Sequence, residues 1–284
     1  MSIDSTWFRC PNCFLPLAPV TELTLGYDTG HRFDVSRHGT VTLLPPRAPN
    51  TVGDTREMLD ARARLLGSGL FQPIVDAIAQ AAVAVSVDDS PARIVDLGCG
   101  TGYYAARVAE VLPGTVLAAD RSPIAVRLAT RSIPRASGVV LDLWKPLPLR
   151  DAVADIALNV FAPRNPSEFA RILSPQGRLI VVVPTPVHLQ ELRHAGALLD
   201  IPEGKAERVV DQFTAVGLSL HHRTAVEYTR DASAATRAEL AGMGPSAHHV
   251  ASLESTSQMD DRGARSAVTI SVDVLVFRPP APAA

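Results

Sequence analysis

The sequence contains little cysteine, almost no lysine and few aromatic side chains. Its 284 residues include three cysteines and 5% aromatic residues, and the formal net charge is −2. So few cysteines exclude a disulfide framework, and the nearly balanced charge excludes a protein that is basic over its whole surface. Of the 27 basic residues, only Lys145 and Lys205 are lysines, and the other 25 are arginines. Because arginine can bind phosphate through two hydrogen bonds, a local RNA-binding surface remains open.

A long apolar segment is also missing. No run reaches the roughly 18 to 20 apolar residues that a membrane span needs, and the N-terminus lacks the basic and apolar regions of a signal peptide. We therefore expect a cytoplasmic protein with no membrane partner. With 46% hydrophobic and 20% charged residues, the chain can bury one large core and carry a small accessory module. The sequence does not distinguish a monomer from a homodimer.

A buried strand that leads into a glycine-rich turn is the most informative motif. Its residues are Asp96, Gly98, Gly100, Gly102, Tyr103 and Tyr104. The glycines let the backbone turn tightly and approach a ligand, and the helix that follows offers unpaired N–H groups. A second apolar strand ends on Asp120, where a doubly wound fold places a ribose-binding acid. The order DxGxGxG resembles the fingerprint of S-adenosylmethionine (SAM) methyltransferases. An ordinary strand-to-helix turn is the alternative.

Regular alternation of strands and helices follows along the chain. Strands are predicted at 93–98, 115–120, 138–142, 153–160 and 178–184, and two later alternating runs extend from Leu218 to Tyr228 and from Ser266 to Phe277. Such repetition predicts an α/β fold, a seven-stranded Rossmann-like methyltransferase sheet with helices on both faces. Two helices, one over 57–66 capped by Asp54 and one over 72–85, are expected to precede it.

The domain organisation is predicted from turns and breaks. Residues 1–44 contain short extended segments between turn residues, which is typical of a small β-rich module. Residues 45–53 are predicted to be a linker, residues 54–278 the methyltransferase domain, and residues 279–284 a disordered tail.

Cofactor contacts are expected beyond the carboxyl ends of the strands. Asp142 and Leu143 follow the third strand, where a carboxylate or a main-chain amide could bind adenine. A solvated acid is the alternative. Arg62, before the cofactor strand, is a candidate contact for the methionine carboxylate or for an RNA phosphate. An ordinary surface salt bridge is its alternative.

Three residues are candidates for contact with the methyl acceptor. Asn159 and Phe161 follow the fourth strand, where methyltransferases that modify a nitrogen commonly hold the target base. Phe161 has the ring that base stacking requires. His188 follows the fifth strand. A plain strand-to-helix loop and a surface helix residue are the respective alternatives.

The N-terminal segment carries half of a metal site. Cys10 and Cys13 are three residues apart, so both thiolates can bind one tetrahedral metal. His31 is the best third ligand, and His38 or Asp28 could supply a fourth. We therefore predict zinc, with the fourth position taken by water or a nearby oxygen.

Basic residues surround the predicted histidine ligand. Arg32, Arg37 and Arg47 accompany a single acid, Asp34, between residues 30 and 50. They are candidate RNA contacts, and a solvated loop is the alternative.

Several motifs together carry a family resemblance. They are CPNC at 10–13, GHRFD at 30–34, GTVTLLP at 39–45, FQP at 71–73, the turn through Tyr104, FAP at 161–163 and PTPVHL at 184–189. On them the whole chain resembles the large-subunit (23S) ribosomal RNA guanine-N1 methyltransferases, a family that includes tylosin- and mycinamicin-resistance enzymes. Tyr27 departs from the pattern, because the family has a third cysteine there. A three-ligand site, a substitute ligand and a metal-free module all remain open.

The resemblance implies an activity and a partner. A zinc-bearing N-terminal module would recognise a 23S rRNA hairpin near the peptide exit tunnel. A SAM-dependent domain would methylate N1 of a guanine and confer macrolide resistance. Because N1 lies on the Watson–Crick edge, the base must leave its stack first. A small-molecule methyltransferase and a non-catalytic RNA-binding protein are the two alternatives.

Overall fold

The computed structural model describes residues 3–27, 30–45, 54–84, 91–243 and 266–280. Asp28 and Arg47, most of the predicted linker and residues 281–284 lie outside this part of the chain. A small antiparallel sheet comes first and consists of β1 (Ala18–Thr21), β2 (Thr24–Gly26) and β3 (Phe33–Asp34). No helix among the described residues is long and apolar enough to cross a membrane.

A large mixed sheet forms the centre of the protein. Its strands are β4 (Thr40–Thr42), β5 (Ala92–Leu97), β6 (Gly114–Asp120), β7 (Ser137–Val140), β8 (Ala154–Val160), β9 (Leu173–Pro184), β10 (Ser219–Ala232) and β11 (Ser266–Arg278). Within the described residues the order is β10-β11-β9-β8-β5-β6-β7-β4. Strand β11 runs antiparallel to β9 and β10, and the other pairs are parallel. The Rossmann-like α/β architecture predicted from the sequence is confirmed.

The strand count differs from the expected seven. Strand β4 was expected in the N-terminal module, but it pairs in parallel with β7 at the edge of the large sheet, with Val41 opposite Val139. Val41 is buried there, and the backbone N–H of Leu43 donates to the carbonyl of Val140 at 2.9 Å. Edge pairing satisfies backbone groups of β7 that would otherwise face solvent. The N-terminal segment thus contributes an eighth strand to the sheet.

Helices cover both faces of the large sheet. They are α1 (Arg56–Gly67), α2 (Gln72–Val83), α3 (Tyr103–Val111), α4 (Pro123–Ser132), α5 (Pro166–Ile172), α6 (Gln190–His194), α7 (Lys205–Thr214) and α8 (Ala234–Gly242). Buried side chains of α5, α7 and the N-terminal segment share one core, and those of α1, α2, α3, α6 and α8 share another.

The first helix is capped one residue later than predicted. The side chain of Thr55 accepts the backbone N–H of Met58 at 3.3 Å, which is the usual hydrogen bond of an N-cap. The carboxylate of Asp54 instead forms an ion pair with Arg62. Both side chains line the cavity described below. The prediction that Asp54 caps this helix was therefore wrong, because a charged partner eight residues away holds its side chain.

Candidate functional site

A cavity of about 690 Å³ lies at the carboxyl ends of four parallel strands. The ends of β5, β6, β8 and β9 contribute to its wall through Asp96, Asp120, Val160 and Val182. Strand β5 lies between β6 and β8, so the chain order reverses there. This is the position at which open α/β sheets bind their ligands, and the volume is that of a small-molecule site.

The glycine-rich turn forms one wall of the cavity. Gly98 and Gly102 have φ angles of +92° and +79°, which favour glycine. A Cβ atom on Gly98 would lie 2.4 Å from the Cβ of Ala162, and one on Gly102 would lie 2.7 Å from the Cα of Ala129. At these two predicted positions, a side chain is therefore excluded both by neighbouring atoms and by the backbone conformation.

The buried carboxylate of Asp96 and the partly buried carboxylate of Asp120 lie beside this turn. Asp120 accepts the backbone N–H of Gly100 at 3.0 Å and that of Ser122 at 2.8 Å. Burial raises the pKa of Asp120, and burial together with the charge of Asp120 raises the pKa of Asp96 to about 7. An acid fixed at the end of the second parallel strand suits the hydroxyls of a ribose, and the acidic surroundings suit a positively charged sulfonium.

Three further predicted cofactor residues line the same cavity. The rings of Tyr103 and Tyr104 meet edge to face, with centroids 5.3 Å apart. The guanidinium of Arg62 lies 3.5 Å from the position that a side chain on Gly100 would take. Together with the glycine cradle and Asp120, these residues fit a nucleoside-type cofactor that carries a carboxylate.

Asp142 and Leu143 do not line the cavity. The carboxylate of Asp142 is buried, forms an ion pair with Arg121 and accepts the backbone N–H of Trp144 at 3.0 Å. Leu143 lies in the same core as the N-terminal segment. The contact of these residues with an adenine ring remains a prediction.

Asn159 holds the loop of residues 161–163 that follows β8, here called the acceptor loop, and does not line the cavity. Its side chain is fully buried, and its Nδ2 donates to the carbonyl of Leu97 at 3.0 Å and to that of Pro163 at 2.9 Å. It therefore ties the end of β5 to the loop that follows β8. Its Oδ1 is buried and has no hydrogen-bond partner among the described residues, and Asn159 is not among the residues that line the cavity. Its contact with the base remains a prediction.

Phe161 and His188 form an aromatic wall of the cavity. Their rings stack with centroids 6.0 Å apart, and Phe161 is 43% exposed. Phe161 has φ +52°, a conformation that is rare for residues other than glycine and is often found at functional sites. An exposed ring held in this way offers a flat surface to a base.

His188 is held as a neutral donor. Its Nδ1 accepts the backbone N–H of Ser271 at 3.2 Å, so the proton of the neutral ring is on Nε2. Burial and the charges of Arg193 and Lys205 lower the pKa of His188 to about 4. At neutral pH this side chain can donate a hydrogen bond from Nε2 but carries no charge.

Two cations in the cavity wall were not predicted from the sequence. Arg164 follows the Phe161–Pro163 loop directly, and Lys205 is the first residue of α7. Nothing in the local sequence pattern distinguished Lys205, whereas Arg164 could have been found from its position directly after the Phe161–Pro163 motif.

The three predicted metal ligands lie close together in the N-terminal segment. The Nδ1 of His31 lies 3.5 Å from the Sγ of Cys10 and 3.8 Å from the Sγ of Cys13, and the three ligand atoms fall within 4.8 Å of one another. The hydroxyl of Tyr27 joins them, 3.0 Å from the Sγ of Cys13 and 3.1 Å from the Nδ1 of His31. His38 is not part of this group, because its Nε2 accepts the Nε of Arg37 at 3.2 Å.

The distances from the Nδ1 of His31 to the two sulfurs fit a tetrahedral metal site. Bonds of about 2.3 Å to sulfur and about 2.0–2.1 Å to nitrogen separate the ligand atoms of such a site by roughly 3.3–3.8 Å. The hydrogen bond with Tyr27 lowers the pKa of Cys13 to about 6, which favours the thiolate that binds metals. Gly30 leaves the space for the Tyr27 ring, since a Cβ there would lie 1.6 Å from its Cε2.

Arg32 and Arg37 are exposed on the same module. Neither forms an ion pair with an acid among the residues that the structure describes. Both side chains are open to solvent, although the Nε of Arg37 donates to the Nε2 of His38 at 3.2 Å. Their contact with RNA phosphates remains a prediction, and Arg47 lies outside the described residues.

Comparison with known proteins agrees with this geometry. A family model described as a methyltransferase domain matches residues 94–177. The chain is 41% identical to the 23S rRNA (guanine(748)-N(1))-methyltransferase of Streptomyces fradiae, over 96% of this chain and 97% of that protein. It is 40% identical to a putative 23S rRNA (guanine-N(1)-)-methyltransferase of Micromonospora griseorubida, over 95% and 97%.

Solved structures share the fold at low identity. A putative methyltransferase from Bacillus halodurans is 15% identical with a TM-score of 0.51, over 72% of this chain and 98% of that one. The putative methyltransferase in a Haloferax volcanii complex with the activator Trm112 is 18% identical with a TM-score of 0.51, over 80% and 98%.

Proposed function

Because the chain belongs to the family of 23S rRNA (guanine-N1)-methyltransferases, we propose that it methylates N1 of a guanine in a hairpin of 23S rRNA. The observation that carries the proposal is that one cavity is lined both by the glycine-rich cofactor turn and by the exposed ring of Phe161. An rRNA substrate implies action in the cytoplasm. Protection of the ribosome against a macrolide is the biological role that we propose for this modification.

Different residues of the cavity would bind the cofactor and the guanine in this reaction. SAM supplies a methyl group on a sulfonium when it is bound. Asp120 would hold the ribose hydroxyls, and Arg62 the methionine carboxylate. Phe161 would stack on the extruded guanine, and the Nε2–H of His188 would donate a hydrogen bond to it. Asn159 is a positioning residue that fixes the loop carrying Phe161.

Proton removal is the chemical difficulty. N1 of neutral guanine carries a proton, which must leave as the methyl group arrives. His188 has a pKa of about 4 and its Nδ1 is already occupied by Ser271, so it is a poor base for this proton. The proton is therefore expected to pass to water, and the protein would contribute alignment of N1 with the methyl carbon and stabilisation of the developing charge.

Mapping the modified nucleotide tests the proposed function. Purified protein with labelled SAM is expected to transfer one methyl group to a 23S rRNA transcript, at N1 of a single guanine. Primer extension stops at N1-methylguanine, because the methyl group blocks base pairing, and so locates the site. Transfer to small metabolites but not to rRNA would support a small-molecule methyltransferase. Failure to bind SAM in calorimetry would support a non-catalytic RNA-binding protein.

Zinc at the N-terminal module is a second part of the proposal. Cys10, Cys13 and His31 would supply three ligands, and the hydroxyl of Tyr27 would supply the fourth. The support is the chemistry of these four groups and the distances from the Nδ1 of His31 to the two sulfurs, which suit a tetrahedral site. The hydroxyl of Tyr27 is the oxygen that lies next to Cys13 and His31. A bound metal would link the turn at Cys10 to the loop between β2 and β3 and so fix the orientation of Arg32.

We expect purified protein to contain close to one zinc per chain. The double substitution Cys10→Ser with Cys13→Ser is expected to remove it, because both thiolates are lost. Tyr27→Phe should weaken zinc binding at least about tenfold, since loss of even an outer contact has that effect, whereas Tyr27→Cys should strengthen it. Metal analysis and competition with a chelator measure both. Zinc absent from protein prepared without chelators, or retained by the double variant, contradicts the site.

A further inference from the structure

The cavity wall carries both acidic and basic side chains. Asp54, Asp96 and Asp120 stand near the glycine-rich turn, and Asp54 is already paired with Arg62. Arg164 and Lys205 line the same cavity. The charge of Arg164 acts on Lys205, and that of Lys205 acts on His188, which places both cations beside the aromatic wall.

Neither cation has a partner within the part of the chain that the structure describes. No ion pair or hydrogen bond joins the side chain of Arg164 or Lys205 to another described residue. Asp200, an acid of the same cavity wall, has a side chain that is 99% exposed and lies 3.9 Å from Arg193. Both cations are nevertheless half-buried, and burial lowers the pKa of each.

Stability does not explain this arrangement. Half-buried cations without partners lose hydration and gain nothing in return. Lys205 is also the first residue of α7, where a positive charge opposes the helix dipole. Unfavourable placement of charge inside a cavity is typical of groups that meet a ligand of opposite charge.

We propose that Arg164 and Lys205 form an anion-binding subsite for an oxygen of the target nucleotide. This inference rests on the proposed function, because it takes guanine in RNA as the acceptor. Two oxygens of that nucleotide have the required chemistry. O6 of the guanine gains negative charge as N1 loses its proton, and the phosphate beside the extruded base is charged throughout. In either case the two cations would meet negative charge on the methyl acceptor.

Steady-state methylation of a 23S rRNA transcript tests the subsite. The variants are Arg164→Gln and Lys205→Gln, with Arg164→Lys and Lys205→Arg as charge-retaining partners. Arg208→Gln is the matched control, because Arg208 lies on the same helix as Lys205, is exposed, and donates only to the carbonyl of Glu203. Thermal unfolding and the Kd for SAM are measured for every variant, so that loss of the fold is recognised.

Each glutamine variant is expected to lower kcat/KM at least about tenfold with the Kd for SAM unchanged, and the charge-retaining variants should recover part of it. If the two cations bind O6, kcat is expected to fall and the salt dependence of kcat/KM is expected to remain that of the wild type. If the phosphate is the ligand, KM rises and the salt slope decreases by roughly one.

Values of kcat/KM within twofold of the wild type in both glutamine variants would overturn the subsite. An equal loss in Arg208→Gln would also overturn it, because net charge alone would then explain the effect. A wild-type protein that fails to methylate rRNA is a different result, since it contradicts the proposed function itself.

Discussion

Deletion of residues 1–44 is expected to destabilise the whole protein and not only to remove an RNA-binding module. The deletion takes away β4, which pairs with β7 at the edge of the large sheet. It also removes buried side chains from the core that underlies α5 and α7: Trp7, Phe8, Leu17, Leu25, Val35, Val41 and Leu43. Arg150 would lose the carbonyls of Phe8 and Leu17, to which it donates at 2.9 and 2.6 Å.

A single substitution measures this dependence. Trp7 is fully buried, and the guanidinium of Arg93 lies 4.1 Å from its ring centroid. Trp7→Ala should lower the free energy of unfolding by about 3–5 kcal/mol, through lost burial and an unfilled cavity. Leu23→Ala, at a side chain that is 44% exposed, is the control and should change it by less than about 0.5 kcal/mol. Urea unfolding followed by circular dichroism gives both values. Equal stability of Trp7→Ala and wild type would show that the two parts fold independently.

RNA recognition by this segment must therefore be tested without deleting it. Replacing Arg32, Arg37 and Arg47 by alanine leaves the shared core intact. The triple variant is expected to need more RNA for half-maximal rate and to show a flatter salt dependence, because fewer counterions are released on binding. Its Kd for SAM should stay within a few-fold of wild type. An unchanged RNA requirement would mean that these arginines form an ordinary solvated surface.

Asp120→Ala is expected to weaken SAM binding by tenfold to about a hundredfold. The carboxylate would lose the ribose hydroxyls, and a hydrogen bond to a charged group contributes about 1.5–3 kcal/mol. The substitution also removes the acceptor of the Gly100 and Ser122 N–H groups, which shape the turn. Calorimetry measures the Kd. Asp211→Ala, an exposed acid on α7, is the control and should bind SAM as the wild type does. An unchanged Kd in Asp120→Ala would remove this residue from the cofactor site.

Gly98→Arg is expected to weaken SAM binding at least as much as Asp120→Ala. The structure adds a reason that the sequence did not reveal. The sequence suggested that a side chain there would block the cofactor. In the structure the first atom of that side chain already meets Ala162, next to Phe161, and the backbone has φ +92°. The substitution is therefore expected to move the acceptor loop as well as the turn, so that kcat for RNA methylation falls together with SAM affinity.

The sequence predicted the parts of this protein that local patterns encode. Apolar runs followed by glycine or a carboxylate located β5, β6 and the cofactor turn, because strand, tight turn and helix start each leave a signature within a few residues. The CxxC pair likewise required only the geometry of one turn. The family resemblance, which rests on short motifs spread along the chain, is confirmed by two relatives that cover 96% and 95% of it.

Only the tertiary structure decided which side chains meet. The sequence of β4 predicts an extended segment but not the sheet to which it belongs. Its pairing with β7 joins residues that are almost a hundred positions apart in the chain. Asn159 sits at a strand end like a ligand-binding residue, yet its side chain turns to Leu97 and Pro163. Tyr27 reaches Cys13 because Gly30 leaves room for its ring, and Arg164 and Lys205 converge from two elements. The direction of a side chain depends on packing between distant segments, and no local pattern records that.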